Sequence, residues 1–333
     1  MSAPSMVVFG SACSSPEAKV AVVIPAYRVT NHILGVVTGI PSCVWRIYVV
    51  DDCCPHGSGT LVQAECQDPR VAVVFNKVNL GVGGTVMAGY AAAASEGADI
   101  IVKMDGDGQM DPELLPRFIA PIAEGDADYT KGNRFYDLGQ IGQMPRIRIF
   151  GNAVLSFMTK LSSGYWDIFD PTNGYTAIHS RVVGKLPMEK ISKRYFFETD
   201  MLFRLNTLRA VVVDVPMDAR YGDEISGLKV RRVAFDFLAK HARNTWKRIF
   251  YNYFLRDMSL ASIELLGGAL LLAAGLFAGS YFWLAAASAG VPTSAGRVML
   301  AALPVFLGLQ LLLGFIAYDI ASVPRNTIHR LLR

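Results

Sequence analysis

Asp105-Gly106-Asp107-Gly108-Gln109-Met110-Asp111-Pro112 contains the residues best suited to chemistry. Asp105 and Asp107 place two carboxylates two residues apart, and Gln109 adds an amide oxygen. All three are hard oxygen donors, which suit Mg²⁺ or Mn²⁺ bound by a few protein oxygens plus the phosphates of a substrate. Glycines on both sides of Asp107 let the backbone come close to a ligand. Asp and Gly also make ordinary surface turns, so the motif takes its meaning from what positions it. The run Ala98–Met104 that precedes it reads as a buried parallel strand. Carboxylates at the end of such a strand project into the crevice where open α/β sheets bind ligands.

The elements that carry this strand follow in order. Lys19–Ile24 reads as a first strand, stopped by Pro25 and followed by Ala26-Tyr27. A short helix is expected over Asn31–Ile40 and a second strand over Trp45–Val50, ending in Asp51-Asp52. A helix over Ser58–Cys66 and a strand over Val71–Phe75 come next. Gly81–Ser95 reads as a glycine-rich opening to an alanine-rich helix. Strands alternating with helices in this way imply an α/β domain with a parallel sheet covered on both faces. Gly81-Val82-Gly83-Gly84-Thr85-Val86 does not complete the dinucleotide fingerprint, since Val86 stands at its sixth position and the loop follows the third strand. Its glycines suit close helix packing or the approach of a sugar nucleotide.

After the acidic motif, Pro112–Ala123 reads as a helix with proline in its first turn. Tyr129–Arg134 reads as a strand that delivers a cation to its end. Residues 135–146 suit a mobile loop, and Arg146–Phe157 mixes Arg146 and Arg148 with large apolar groups. That segment suits either a helix on a membrane surface or an amphipathic helix on the core. Asp170–Tyr175 is a polar turn before Thr176–Ile178. Tyr195–Leu208 reads as a helix with Glu198 and Asp200 in its first turn, where acids complement the dipole. A strand over Ala210–Val215 and a loop with Arg220-Tyr221-Gly222 follow.

The chain has 333 residues, 52% hydrophobic, with a formal net charge of +4, and its mean hydropathy is +0.32. The apolar excess lies in two uncharged stretches, Leu265–Ala289 and Val298–Tyr318, and a membrane span needs about 20 such residues. Lys240, Arg243, Lys247, Arg248 and Arg256 precede the first, and Arg325, Arg330 and Arg333 follow the second. The positive-inside rule puts both ends and the large domain in the cytoplasm. Glu264 and Asp319 read as interfacial charges without a role. Trp246, Phe250, Tyr251, Tyr253 and Phe254 interleave with cations as in a helix at an anionic membrane interface, which sets nucleic acid aside. Five cysteines without CxxC spacing argue against a disulfide framework or a zinc site. The expected division is a loose leader over 1–17, a catalytic domain over 18–232, amphipathic interfacial helices over 233–258, two transmembrane helices over 259–323 and a basic tail over 324–333.

Residues 18 to 232 resemble a family 2 glycosyltransferase of GT-A type, most similar to the polyisoprenyl-phosphate glycosyltransferases, the dolichol-phosphate mannose synthase-like group. The matching pieces are Pro25-Ala26-Tyr27, Val50-Asp51-Asp52, Asn79-Leu80-Gly81, Asp105-Gly106-Asp107-Gly108-Gln109, Gly132-Asn133-Arg134, Thr172-Asn173-Gly174-Tyr175 and Arg220-Tyr221-Gly222. Arg28-Val29 and Ser226-Gly227-Leu228-Lys229 depart from the family's usual pattern. The resemblance implies a GT-A domain with a nucleotide-diphosphate sugar donor, UDP- or GDP-linked, and a polyisoprenyl phosphate acceptor. It implies that Pro25, Ala26, Tyr27, Asp51, Asp52, Gly81 and Asp105 hold the donor, and that Asp105, Asp107 and Gln109 hold the metal. Arg134, Arg146, Arg148 and Arg220 are candidates for the acceptor phosphate, because guanidinium matches phosphate in a bidentate fork. Glu198 and Asp200 are candidates for a general base, an acceptor-orienting role or helix capping. Transfer is expected to invert the anomeric carbon. Alternatives are transfer to a hydroxyl of a glycan or lipid-linked sugar, and a non-catalytic membrane scaffold. The oligomeric state stays open, a homo-oligomer included, and the expected location is a bacterial plasma membrane.

Overall fold

A computed structural model describes residues 18–136, 146–218 and 230–332, without the side chains of 146–148 and 230–234. The chain divides into two units: one ends at Thr245 and resumes at Pro324, and the other is Trp246–Val323.

The first unit is built on one seven-stranded sheet. Its strands are β1 (Val20–Ala26), β2 (Arg46–Asp51), β3 (Val71–Phe75), β4 (Ile100–Lys103), β5 (Tyr129–Asn133), β6 (Thr176–His179) and β7 (Val212–Pro216), in the order β3-β2-β1-β4-β6-β5-β7. The helices between them are α1 (Ile33–Thr38), α2 (Ser58–Glu65), α3 (Gly81–Ser95), α4 (Leu115–Ala123), α5 (Arg146–Ser163), α6 (Ser180–Val183) and α7 (Phe197–Leu208). Apolar side chains of β1, β2 and β4, with Ile33, Leu115 and Phe118 from the helices, form a core cluster whose members are nearly all excluded from solvent. β1 to β4, β7 and α3 fall close to where their apolar runs place them. One expectation is corrected: the sheet is mixed rather than parallel. β6 runs antiparallel to both β4 and β5. This reversal sets the first residues of β6, and the Thr172–Tyr175 turn before them, beside the carboxyl ends of β4 and β5.

α8 (Val230–Phe250) crosses the division between the units and passes into a π-helical turn, Tyr251–Arg256. α9 (Leu260–Ala289) and α10 (Ala295–Ala321) are long and apolar enough to cross a membrane. Their axes approach closely at small residues. A Cβ on Gly308 would stand 2.6 Å from the Leu272 amide nitrogen, and one on Gly275 would stand 2.8 Å from the Ala301 carbonyl. Small residues serve this purpose between helices in lipid, where packing rather than water drives association. Asp319 corrects a second expectation. It is 3% exposed, and its carboxylate takes a two-pronged bond from Arg248 at 2.5 and 2.9 Å and another from the Tyr253 hydroxyl at 2.5 Å. Tyr253 therefore faces inward against Phe315, whereas Trp246 and Phe250 stay exposed.

The segment after α10 belongs to the first unit. The Asp128 carboxylate, fully buried, accepts the backbone N–H of Ile328 and His329, the His329 Nδ1 and the Val211 N–H, all at 2.7–3.0 Å. The His329 ring stacks on His179 at 4.4 Å, and Arg181 donates to the carbonyls of His329 and Leu332. The cysteines also differ from expectation. Cys43 is disulfide-bonded, while Cys53, Cys54 and Cys66 are free.

Candidate active site

The carboxyl ends of β1, β2 and β4 and the amino end of α3 enclose a cleft of about 460 Å³. Seven residues singled out in the sequence line it: Pro25, Ala26, Tyr27, Asp52, Gly81, Asp105 and Asp107. Asp51 and Gln109 do not. The cleft also takes in Asn79, Thr85, Arg194 and Tyr195. Arg194 and Tyr195 come from the loop before α7, which starts at Phe197 rather than at Tyr195 as expected; Arg194 was not singled out in the sequence.

The glycines of α3 bring that loop in. The N–H groups of Gly83 and Gly84 donate to the Lys193 carbonyl at 3.0 and 3.3 Å. A Cβ on Gly81, which has φ +78°, would stand 2.6 Å from that same carbonyl, and a Cβ on Gly83 would overlap Ser192 and Phe197. The glycine-rich segment is thus a seat for the 192–197 loop, not a dinucleotide loop. Asp52 fastens the other side: its carboxylate accepts the N–H of Leu80 at 2.7 Å and of Gly81 at 2.8 Å. Asp51 accepts the N–H of Cys54 and of Gly59, each at 2.7 Å. Both carboxylates are buried and employed in holding the loops that shape the cleft.

Asp105 sits on the floor beside a buried cation. Lys103 Nζ lies 2.8 Å from Asp105 Oδ1 and 3.6 Å from Glu198 Oε1, with only 1% of its side chain exposed. Burial alone would lower the Lys103 ammonium, but the charges of Asp105 and Glu198 hold it above its ordinary value. Gly174 completes the cradle. A Cβ there would stand 2.6 Å from Asp105 Oδ2 and would overlap Lys103 Nζ. Asp107 accepts the Gln109 N–H at 3.0 Å in a local turn, and Gly108 has φ +79°, a conformation that favours glycine.

Other expected residues lie elsewhere. Asp200 is 5% exposed, and its two oxygens accept the Ser192 N–H and the Asn244 side-chain amide, both at 2.8 Å. It braces the 192–197 loop against α8 and does not line the cleft. Arg134 gives both prongs of its fork to Asp170, at 2.7 and 3.0 Å. Burial would raise the Asp170 carboxyl, but Arg134 holds it below the usual carboxylate range. Arg134 thereby anchors the turn that carries Thr172–Tyr175. α5 contains Arg146 and Arg148, whose side chains lie outside the described residues, as does all of Arg220. Along α5, Phe150, Val154 and Phe157 are exposed at i, i+4 and i+7, one face of the helix. A second hollow, of about 350 Å³, is lined by Phe135, Ile149, Ala153, Phe157 and Phe169, with Lys160 as its cation.

Residues 21–186 match the family described as Glycosyl transferase family 2. The chain is 32% identical over 173 residues to an undecaprenyl-phosphate mannosyltransferase of Micrococcus luteus, covering 51% of this chain and 70% of that protein. It is 28% identical over 229 residues to the polyprenol monophosphomannose synthase of Mycolicibacterium smegmatis, covering 66% and 86% of the two. Among solved structures, mannosyl-3-phosphoglycerate synthase from Rubrobacter xylanophilus is similar with a TM-score of 0.52 at 15% identity, over 73% of this chain and 77% of that one.

Proposed function

The chain belongs to glycosyl transferase family 2 and has its GT-A fold, and from that premise we propose that it transfers a sugar from a nucleotide-diphosphate sugar to a polyisoprenyl phosphate at a membrane. The observation that carries the reading is the cleft at the carboxyl ends of β1, β2 and β4, which Asp105, Asp107 and Arg194 all line. The two relatives named for undecaprenyl phosphate and polyprenol monophosphate support the acceptor class.

The hard carboxylate oxygens of Asp105 and Asp107, both lining the cleft, fit a divalent cation. Asp105 and Asp107 would hold Mg²⁺ or Mn²⁺, which when bound supplies positive charge against the diphosphate of the leaving nucleotide. Arg194, lining the same cleft, neutralises that charge as it grows when the glycosidic bond breaks. Tyr27 and the Pro25-Ala26 turn present a rigid apolar wall for the nucleoside. Asp51 and Asp52 act by fixing the loops around it.

The acceptor phosphate is already anionic near neutral pH, with a second pKa near 6, and attacks without a strong base. Asp200, saturated and outside the cleft, is not needed for proton removal, which favours a phosphate over a hydroxyl acceptor. The hollow between α5 and the Phe135–Phe169 pair suits the first isoprene units of the lipid, and the exposed face of α5 suits the membrane surface. With basic residues flanking both apolar helices, the first unit lies on the cytoplasmic side, here of a bacterial plasma membrane.

The test is transfer of radiolabelled sugar from UDP- and GDP-sugars to undecaprenyl or dolichyl phosphate by the detergent-purified chain, with Mg²⁺, Mn²⁺ or a chelator. Cation-dependent label in the organic phase is expected. Donor consumption without a lipid product would overturn the acceptor reading.

A further inference from the structure

A line of polar residues crosses the sheet from Lys103, which pairs with the cleft residue Asp105. In the registers of β4, β6, β5 and β7, Lys103 stands opposite Thr176, Thr176 opposite Lys131, and Lys131 opposite Asp214. Neighbours in register share a face of the sheet, so two lysines, a threonine and an aspartate form one row across it. Lys103 and Lys131 are each 1% exposed. Glu198, from the first turn of α7, reaches Lys103 on this face. Burial presses the Lys131 ammonium down to about 8 against the pull of Asp170, Glu198 and Asp214. A buried ammonium is costly, and a neutral side chain of the same length would fill the place of Lys103 without that cost. Its position therefore calls for an electrostatic account.

We propose that Lys103 is a positioning residue that sets the cation affinity of the donor site by sharing its charge between Asp105 and Glu198. The inference rests on reading Asp105 and Asp107 as the cation ligands. The geometry gives Lys103 two carboxylate partners at unequal distances, 2.8 Å to Asp105 and 3.6 Å to Glu198. The ammonium opposes a divalent ion at Asp105 by direct repulsion, and an effective dielectric well below that of water leaves this repulsion large at such distances. Glu198 moderates it by drawing part of the Lys103 charge away. Binding of the nucleotide diphosphate, with its own negative charge, then tips the balance toward the occupied site. Free cation is held weakly, and cation and donor are held together. Gly174 is necessary to this arrangement, because a side chain there would part Lys103 from Asp105.

Two substitutions should move the affinity in opposite directions, which a loss of packing alone would not do. The measurement is Mn²⁺ binding to the detergent-purified full chain, without nucleotide, by electron paramagnetic resonance of the free ion. Lys103→Met removes the competing charge and should tighten Mn²⁺ binding at least threefold, while kcat falls because Asp105 and Glu198 are left facing each other. Glu198→Gln leaves the Lys103 charge to Asp105 alone and should weaken Mn²⁺ binding at least threefold. Should Lys103→Met not fold, Glu198→Gln carries the decision, being nearly isosteric. Wild-type binding with no shift in Glu198→Gln, or a weakening in folded Lys103→Met, overturns the inference and leaves the cation reading intact. A wild type that binds no Mn²⁺ overturns both.

Discussion

Two acidic residues in the first turn of α7, only two positions apart, have different work because the helix turns them to different sides. Glu198 faces Lys103. Asp200 faces Ser192 and Asn244 and is closed off from solvent. Asp200→Asn is therefore expected to lower stability by about 1–3 kcal/mol, the usual cost of disturbing a buried polar partner, while kcat in the folded fraction stays within about threefold. A loss of turnover beyond a hundredfold with an unchanged melting temperature would restore a general base and a hydroxyl acceptor. Asp107 is the contrasting case. It lines the cleft and is partly exposed, so Asp107→Ala should cost little stability. Transfer should fall by roughly 10² or more, as when a group that stabilises transition-state charge is removed; a radiolabel assay beside circular dichroism separates the two effects. The Asp105–Asp107 pair was visible in the sequence because its spacing follows an apolar strand. Lys103 was not, since a lysine at a strand end ordinarily reads as solvated, and its enclosure comes from β1 and β6 on either side and from Glu198.

At the scale of elements, apolar runs marked β1 to β4 and β7, while β6 stood only as a short run after a polar turn, and strand direction was not legible. β6 has four residues, and nothing within them says which way they run. The direction matters, because it places Gly174 against Asp105. The cap that Asp52 makes on α3 was equally hidden, being a bond between residues 28 apart. Packing of α8 on α5 gives a pH prediction. His241, 3% exposed, bonds Ser162 Oγ through Nδ1 at 2.8 Å, and burial pushes its pKa from 6.5 down to about 4. Between those values the unfolded chain takes up a proton that the folded chain refuses, so stability falls as pH falls through this window. His179, also pushed down to about 4 by burial, acts in the same direction. Asp214, raised to about 6 by burial, acts in the opposite one. Comparing His241→Gln with wild type isolates the first contribution: melting curves at pH 7 and pH 5 should show a smaller drop in the variant. An equal drop in both would mean that His241 is protonated in the fold.

At the scale of the whole molecule, the chain leaves the first unit at Thr245, forms the apolar helix pair and returns to that unit at Pro324. The two apolar stretches were plain in the sequence because no other composition serves in lipid. The return was not, because it joins Asp128 to residues 200 and 201 positions away. Asp128→Ala should lower the melting temperature of the first unit and expose the 324–332 segment to limited proteolysis. The expected cost is about 2–4 kcal/mol, since the N–H groups of Val211, Ile328 and His329 lose their acceptor together. Unchanged proteolysis at that segment would show that its docking does not depend on this carboxylate.

The docked segment has a consequence for biosynthesis. Asp128 is made early, and two of the backbone amides that satisfy it emerge from the ribosome only after α9 and α10 have been synthesised. Until then the domain holds a buried carboxylate with most of its donors missing, so its last stabilising bonds form after both apolar helices are available for insertion. A chain interrupted within the helix pair would keep its cleft residues but lack this closure, and would be the more readily recognised by proteases. Completion of the apolar helix pair is in this way written into the maturation of the first unit.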